Sequence, residues 1–253
     1  MSSILELRGV WFSYGGEGLV EGLDLAVGEG DLVALLGANG SGKSTILRLL
    51  AGILKPKGGE VMLWQKPIAS LPNRDRAKLV SYLPQVLDLS APFRVRELAG
   101  MGAYPYDIRP ELTVDEALAM VGLGEKGGAY LRELSGGERR RAFIAMTLLQ
   151  GAGILLLDEP LSNLDIRYQM EIIRLLRGLN ASRGISIVMA LHDINLAFQF
   201  DRVVMIKEGG LLGDGQPREV LTEETLRRAF DVDVRTFTHE GSPYISYGFG
   251  EGP

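Results

Sequence analysis

Alternating apolar and polar residues open the chain and predict two strands, Ile4–Val10 and Leu19–Val27, because successive side chains of a strand point to opposite faces. The run Leu32–Leu36 is apolar throughout, which is typical of a strand buried on both faces of a parallel sheet. A glycine-rich segment follows. The residues after it predict a helix over Lys43–Ala51 that ends at Gly52.

Helix and strand patterns alternate in the second half of the chain, as they do in proteins with a central parallel sheet. The helices that we expect there are Gly137–Gln150, Arg167–Leu179 and Ile194–Phe200. The expected strands are Ile154–Asp158, Ser186–Leu191 and Arg202–Ile206. A last helix over Val220–Phe230 and two short strands are expected in the tail. This order predicts an α/β fold.

The middle of the chain is less regular than either end. Strands are expected at Val61–Trp64 and Leu79–Leu83. Gln85–Tyr130 is expected to be a mainly helical insert, with short helices near Val95–Met101 and Val114–Val121. We expect one domain over residues 1–253, with a mainly helical subdomain at about 86–150 and a C-terminal extension at about 220–253.

Composition and charge argue against several classes of protein. The net charge of −5 argues against a general nucleic-acid binder. The absence of cysteine excludes disulfides and cysteine metal sites, and two histidines make a histidine-rich metal centre unexpected. We expect His239 to be a surface residue. The N-terminus lacks the pattern of a signal peptide, and no apolar run has the length of a membrane span.

The segment GANGSGKS, residues 37–44, matches the phosphate-loop pattern GxxxxGK[ST] between a predicted strand and a predicted helix. Glycines allow the backbone to wrap closely around phosphate oxygens, and the helix N-terminus adds partial positive charge. Lys43 is expected to reach the β- and γ-phosphates, and the Ser44 hydroxyl to ligate Mg²⁺. The alternative is a chance glycine-rich turn between the strand and the helix.

An apolar strand ends in two carboxylates, Asp158 and Glu159. Ligands of open α/β sheets bind at the carboxyl ends of strands, so Asp158 is expected to face the Mg²⁺ held by Ser44, directly or through water. Glu159 is expected to orient the water that attacks the γ-phosphate and to favour its developing positive charge. Alone, the two carboxylates would be interpreted as a solvated exit from the strand.

A second glycine-rich turn, LSGGERRRAFI at 134–144, opens a predicted basic helix. Ser135 and Glu138 have the spacing of a capping box, which is the simplest interpretation. Glycines in a first helical turn are each up to ~1 kcal/mol less favourable than alanine, so the bare N–H groups of Gly136 and Gly137 indicate a further purpose. A γ-phosphate fits. Because the chain already has a phosphate loop, we expect this second cradle to serve the ATP of another copy.

A set of motifs occurs in order along the chain: GANGSGKST at 37–45, Gln85, LSGGE at 134–138, ILLLDEP at 154–160, SNLD at 162–165 and His192. In this order they resemble the ATP-binding subunit of an ABC transporter, over nearly the whole chain. The resemblance implies a P-loop NTPase core with an N-terminal antiparallel β subdomain and a helical insert. In that family two subunits pair head to tail, and each ATP lies between one subunit's phosphate loop and the other's signature motif.

The resemblance also implies site roles. The residues that would contact ATP are Gly37, Asn39, Gly40, Ser41, Gly42, Lys43, Ser44 and Thr45, with Ser135, Gly136, Gly137 and Asp165 at the dimer seam. Tyr14 would stack on adenine, the alternative being a core or turn tyrosine. Gln85 would touch Mg²⁺ and relay the nucleotide state, and His192 would contact the γ-phosphate. Asp165 could also be a helix N-cap before Ile166, and His192 an ordinary strand-end histidine.

Other stretches resemble one subfamily. MGAYPY at 101–106 and LHDINLA at 191–197 are similar to importers of ferric siderophores, haem and cobalamin, although Ala103 replaces an arginine there. Arg140 stands where many members have glutamine. The resemblance implies a second copy, a membrane permease and, indirectly, a substrate-binding protein as partners, on the cytoplasmic side of the membrane. The alternatives are a cytosolic ABC ATPase of an assembly system, such as iron–sulfur cluster biogenesis, and a P-loop kinase of small molecules.

Overall fold

The computed structural model describes residues 3–16, 18–86, 92–106 and 112–247. Its N-terminal part is a four-stranded antiparallel sheet with the strand order β2-β1-β4-β5. The strands are β1 (Ser3–Phe12), β2 (Val20–Gly28), β4 (Gly58–Leu63) and β5 (Lys66–Pro67). Leu5, Leu7 and Val10 of β1 are buried, whereas Trp11 is exposed. The antiparallel β subdomain is therefore as predicted. The predicted alternation holds over Leu23–Val27 of β2 but not in β1, where Ile4–Leu7 are all buried.

The central sheet has six strands in the order β10-β9-β3-β8-β7-β6. They are β3 (Leu32–Leu36), β6 (Val80–Leu83), β7 (Ile154–Asp158), β8 (Ser186–Ala190), β9 (Arg202–Lys207) and β10 (Gly210–Gly215). Neighbouring strands are parallel except β9 and β10, which form an antiparallel hairpin. Every residue of β3, β7 and β8 is buried, because the sheet is covered on both faces.

Helices and the antiparallel sheet cover the two faces of the central sheet. The helices are α1 (Lys43–Leu50), α2 (Asn73–Leu79), α3 (Val95–Gly100), α4 (Val114–Met120), α5 (Gly136–Leu149), α6 (Ile166–Arg183), α7 (Pro217–Val220) and α8 (Glu223–Phe230). One hydrophobic core joins α1, the antiparallel sheet, Ile154 and Leu156, whereas the other joins α3 to α6, Leu155 and Leu157. The alternating side chains of β7 therefore anchor its end, which carries Asp158, from both sides.

Some predicted helices are wrong in detail. The segment 194–200 is a 3-10 helix over Ile194–Gln199. Asn195 exchanges two hydrogen bonds with the backbone of Ile245, at 3.1 and 2.7 Å, and these tertiary contacts accompany the tighter winding. The single tail helix is instead α7 and α8, because Pro217 begins one and the Thr222 hydroxyl caps the other. The short elements α2, β5 and β10 were not predicted.

The remaining predictions concern the insert and the tail. Both short helices of the insert are present as α3 and α4, while residues 87–91 and 107–111 of the predicted insert lie outside the described residues. The tail ends in the predicted pair of strands, β11 (Val234–His239) and β12 (Ser242–Tyr247). His239 is exposed, as expected. Among the described residues, no helix has the length and apolar character needed to cross a membrane.

Candidate nucleotide-binding site

The phosphate loop lies between β3 and α1, as predicted. Gly40 and Gly42 have φ angles of +80° and +101°, which residues with a Cβ rarely adopt. A Cβ on Gly37 would lie 2.3 Å from the carbonyl oxygen of Ile206, so close packing against β9 requires glycine there. These glycines let the chain turn into α1 at Lys43. The first turn of α1 contains no acidic residue that would oppose an incoming phosphate.

The Lys43 side chain lies buried over the loop. Its ammonium donates to the carbonyl oxygens of Gly37 at 2.7 Å and Ala38 at 3.1 Å. Burial lowers the pKa of Lys43, and the negative charges of Glu159 and Asp158 oppose that shift. The loop carbonyls thus hold the ammonium at the place where phosphate oxygens would compete for its N–H donors.

Ser44, in the first turn of α1, meets Asp158 at the carboxyl end of β7. The Ser44 hydroxyl donates to Asp158 Oδ1 at 3.0 Å, and the Tyr82 hydroxyl donates to Oδ2 at 3.2 Å. Asp158 is fully buried, so these donors fix the orientation of its carboxylate. Within the described part of the chain, no group of three acidic, histidine or cysteine side chains could hold a metal ion. Mg²⁺ commonly binds through one or two carboxylates plus water and substrate phosphates, so the Ser44–Asp158 pair fits Mg²⁺ that arrives with a nucleotide.

Glu159 is the centre of a polar cluster beside the phosphate loop. Its side chain is largely buried, and Oε2 lies 2.6 Å from His192 Nε2 and 2.5 Å from Gln85 Nε2. The φ angle of Glu159 is +51°, a strained value for a residue with a Cβ. The structure therefore brings together three residues predicted from separate motifs. Because the Gln85 nitrogen faces Glu159, a contact of Gln85 with Mg²⁺ would use its amide oxygen and remains a prediction.

These side chains border a cavity of 340 Å³, a size typical of small-ligand sites. Its lining consists of residues 39–45 of the phosphate loop and α1, together with Leu19, Gln85, Glu159 and His192. The proposed catalytic residues and the predicted phosphate-loop residues other than Gly37 and Ala38 thus share one cavity.

Tyr14 lies beside α1 with 61% of its surface exposed. Its ring contacts Phe12 edge to face, with centroids 5.0 Å apart. Its hydroxyl accepts hydrogen bonds from Arg48 at 3.3 Å and Thr45 at 3.4 Å. The ring is thus fixed at one end and exposed over much of its surface, which suits stacking on a base. Its contact with adenine remains a prediction.

A second cavity, of 290 Å³, lies at the start of α5, and the lining residues described for the two cavities do not overlap. The predicted capping box is present: the Ser135 hydroxyl accepts from the Glu138 N–H at 3.2 Å, and the Glu138 carboxylate accepts from the Ser135 N–H at 3.0 Å. A Cβ on Gly137 would lie 3.1 Å from Leu164 Cδ2, whereas one on Gly136 would meet open space. The cavity therefore leaves room over Gly136.

Asp165 and Asn163 line this second cavity from the loop before α6. Asp165 occupies the N-cap position of α6, but its side chain makes no capping hydrogen bond. The interpretation of Asp165 as the N-cap residue before Ile166 is therefore confirmed in position, although the exposed side chain does not bond the helix N–H groups. Its place at a dimer seam remains a prediction.

Comparison with known proteins assigns the chain to a family. Residues 20–162 match the model of the ABC transporter family. The chain is also 41% identical over 255 residues to the hemin import ATP-binding protein HmuV of Bradyrhizobium diazoefficiens, an alignment that covers 97% of this chain and 95% of that protein. The chain belongs to the ABC transporter family.

Two solved structures place this ABC protein among ATP-binding cassettes. An inward-facing transporter assigned to the metal-chelate type has a TM-score of 0.80 and 25% identity, covering 98% of this chain and 97% of that one. A dimeric cassette in a post-hydrolysis state with ADP and Pi has a TM-score of 0.76 and 27% identity, covering 85% of this chain and 99% of that one. The α/β architecture with its antiparallel subdomain is that of ABC ATPases.

One contact that supports the phosphate loop of this ABC protein was not predicted from the sequence. Gly209, in the turn between β9 and β10, donates its N–H to the Ser41 carbonyl at 3.1 Å. A Cβ on Gly209 would lie 1.9 Å from the carbonyl oxygen of Leu19, and Leu19 lines the first cavity. The Gly-Gly pair at 209–210 is a turn signal, but its packing on a loop far earlier in the chain has no local signal.

Proposed function

We propose that this chain is the ATP-hydrolysing, energy-coupling subunit of an ABC importer. The observation that carries the proposal is the presence of two separate cavities, one at the phosphate loop and one at Ser135–Gly137, which we interpret as two phosphate-type sites. Since a single ATP occupies one phosphate loop, a second copy paired head to tail would give the second site its nucleotide. The dimeric cassette with ADP and Pi supports the pairing of two copies. Ile166, next to Asp165, is 79% exposed and would be covered in such a dimer.

The groups around the phosphate loop would hold ATP. Lys43 would exchange its bonds to two loop carbonyls for bonds to the β- and γ-phosphate oxygens. The Ser44 hydroxyl and the Asp158 carboxylate would hold Mg²⁺, which neutralises phosphate charge when it is bound. The Ser135 hydroxyl and the N–H groups at the start of α5 of the other copy would contact the γ-phosphate.

Glu159 would orient the attacking water. His192 and Gln85 hold its carboxylate in place, and an acceptor that is already oriented needs little rearrangement as positive charge develops on the water. When the nucleotide enters, His192 would turn its Nε2 to the γ-phosphate and leave an oxygen of Glu159 to the water. Gln85 would then sense the nucleotide through its own contact with Glu159 and with Mg²⁺.

The transport role rests on the relatives. The hemin import protein supports a haem cargo, and the metal-chelate type transporter supports a metal chelate; we propose a cargo of the haem, ferric siderophore or cobalamin type. We propose that the cargo passes through a separate membrane permease served by a substrate-binding protein, and that this chain is peripheral on the cytoplasmic side. The helical subdomain at about 86–150 offers exposed apolar residues for the permease: Val86, Met101 and Tyr104. The extension at about 220–253 takes no part in the proposed chemistry.

The identity of the protein that binds this chain decides between an importer subunit and a cytosolic ABC ATPase of an assembly system. Tagged Glu159→Gln protein is incubated with detergent-solubilised native membranes and ATP, with ADP as the matched control, and the captured proteins are identified by mass spectrometry. We expect a stoichiometric polytopic membrane protein in the ATP sample. With the substrate-binding protein supplied, vesicles that contain that protein and the parent chain should take up labelled haem, ferric siderophore or cobalamin only with ATP. A soluble scaffold as the stoichiometric partner would overturn the importer proposal.

A further inference from the structure

Arg140 occupies a position in α5 that the proposed chemistry does not use. Its side chain is buried, with 5% of its surface exposed. One terminal nitrogen, Nη1, donates to the backbone carbonyl oxygens of Pro84 at 3.1 Å and Gln85 at 2.7 Å. Arg140 therefore holds the loop that follows β6 by its backbone, at the residue that is proposed to sense the nucleotide.

The same guanidinium also holds the loop that follows β7. Nη2 donates to the carbonyl oxygens of Asp158 at 2.8 Å and Glu159, and Nε donates to that of Pro160 at 3.3 Å. A guanidinium is planar and its donors point in fixed directions, so it ties the two loops at one separation. At that separation the side chains of Gln85 and Glu159 hydrogen-bond to each other.

A buried charge is an expensive way to stabilise a fold. Burial lowers the pKa of Arg140, and the negative charges of Asp158 and Glu159 oppose that shift. Glutamine, which many chains of the resembled family have at this position, would bury no charge. Its single NH₂ group has two donors, too few to bond all the carbonyl oxygens of both loops. The arginine therefore adds a connection between loops that a glutamine could not make in full.

Arg140 belongs to the helix whose first residues form the second phosphate-type site. It lies about 7.5 Å along the axis from Ser135 at a rise of 1.5 Å per residue, within one unbroken helix of 14 residues. We propose, on the basis of the two-copy site, that Arg140 is a positioning residue that couples the two ATP sites. When Ser135–Gly137 engage the partner's ATP, α5 moves, and Arg140 shifts the backbones of Gln85 and Glu159 in its own chain.

The test compares variants of the full chain. Arg140→Met removes the donors but keeps a long side chain, Arg140→Lys keeps the charge, and Arg140→Gln provides one amide. The matched control is Gln150→Met, because Gln150 follows α5 and donates to the carbonyl oxygens of Ala77 at 2.6 Å and Val80 at 3.3 Å, away from the catalytic loops. The readouts are kcat, the ATP concentration for half-maximal rate, the Hill coefficient for ATP, ATP binding by monomers and thermal unfolding.

Arg140→Met is expected to lower kcat about 10–100-fold, because misplacing catalytic groups by 1 Å can cost about 10²-fold. Its Hill coefficient should fall from above 1 to 1, while monomers bind ATP as the parent does. Arg140→Gln should recover part of kcat, and Arg140→Lys should not, because a point charge cannot span both loops. The inference is overturned if Arg140→Met matches Gln150→Met in kcat and Hill coefficient, or if Arg140→Lys restores both. A parent that neither dimerises with ATP nor hydrolyses it would overturn the two-copy function as well.

Discussion

Replacement of Gly209 by alanine should destabilise the protein more than the same change at an equivalent backbone angle elsewhere. Gly209 has a φ angle of +75°, and Gly30, in the turn between β2 and β3, has +73°. A Cβ on Gly209 would lie 1.9 Å from the carbonyl oxygen of Leu19, whereas a Cβ on Gly30 would meet nothing within 4 Å. Comparing the two variants separates steric crowding from backbone strain.

The expected magnitudes follow from these two contributions. The left-handed conformation costs alanine about 1–2 kcal/mol, and the reduced entropy of the unfolded chain offsets about 0.4–1 kcal/mol of this. Gly30→Ala should therefore lose about 1 kcal/mol of unfolding free energy. Overpacking adds about 1–3 kcal/mol, so Gly209→Ala should lose about 2–4 kcal/mol. Because Gly209 also bonds Ser41, a displaced turn should weaken ATP binding.

Equilibrium unfolding in guanidinium chloride measures the free energies, and titration with a fluorescent ATP analogue measures the affinities. Gly30→Ala is the control in both assays, since it carries the same backbone strain away from the phosphate loop. Equal losses of stability in the two variants would refute the close packing of the β9–β10 turn against Leu19. Unchanged ATP affinity in Gly209→Ala would refute the support of the phosphate loop by this turn.

Three further predictions concern the site. Glu159→Gln should bind ATP but turn over about 10²–10³-fold more slowly in a phosphate-release assay, because an amide stabilises the developing charge poorly; turnover near the parent's would remove Glu159 from this role. Ser135→Arg should impair hydrolysis while calorimetry shows normal ATP binding by monomers, and a loss of that binding would contradict a role toward the other copy. Burial raises the pKa of Tyr82 to about 12 from 10.0, so the contribution of Tyr82 to stability is complete below pH ~10 and is lost as pH rises toward 12. In Tyr82→Phe, the free energy of unfolding should therefore fall less steeply with pH in that window. Equal slopes for the variant and the parent would argue against this role of Tyr82.

The parts of the site that the sequence predicts are those in which consecutive residues carry the chemistry. The phosphate loop needs glycines, a lysine and a hydroxyl side by side, and the strand before Asp158 needs an unbroken apolar run. Ser135 and Glu138 cap their helix as their spacing predicts. In each case the physical requirement is satisfied within a few residues, so a short pattern is enough.

The parts that the sequence does not predict depend on distant partners. Arg140 bonds a carbonyl 55 residues away, and nothing in its neighbourhood distinguishes it from Arg139, which is exposed. Gly209, between β9 and β10, supports the phosphate loop, which lies between β3 and α1. The 3-10 helix at Ile194–Gln199 likewise accompanies hydrogen bonds to Ile245, whereas its sequence alone favours an ordinary helix. Tertiary contacts of this kind override local preference.

Cross-linking between copies tests the head-to-tail site most directly. The chain has no cysteine, so introduced thiols are the only ones. Asn39→Cys, at an exposed position of the phosphate loop, and Gly136→Cys, where an added Cβ meets open space, are placed in separate copies that also carry Glu159→Gln. With ATP, Mg²⁺ and an oxidant, the mixture should give a covalent dimer of twice 27.5 kDa, with more product than either variant alone or the mixture without ATP. No mixed dimer, or equal yield without ATP, would contradict the composite site.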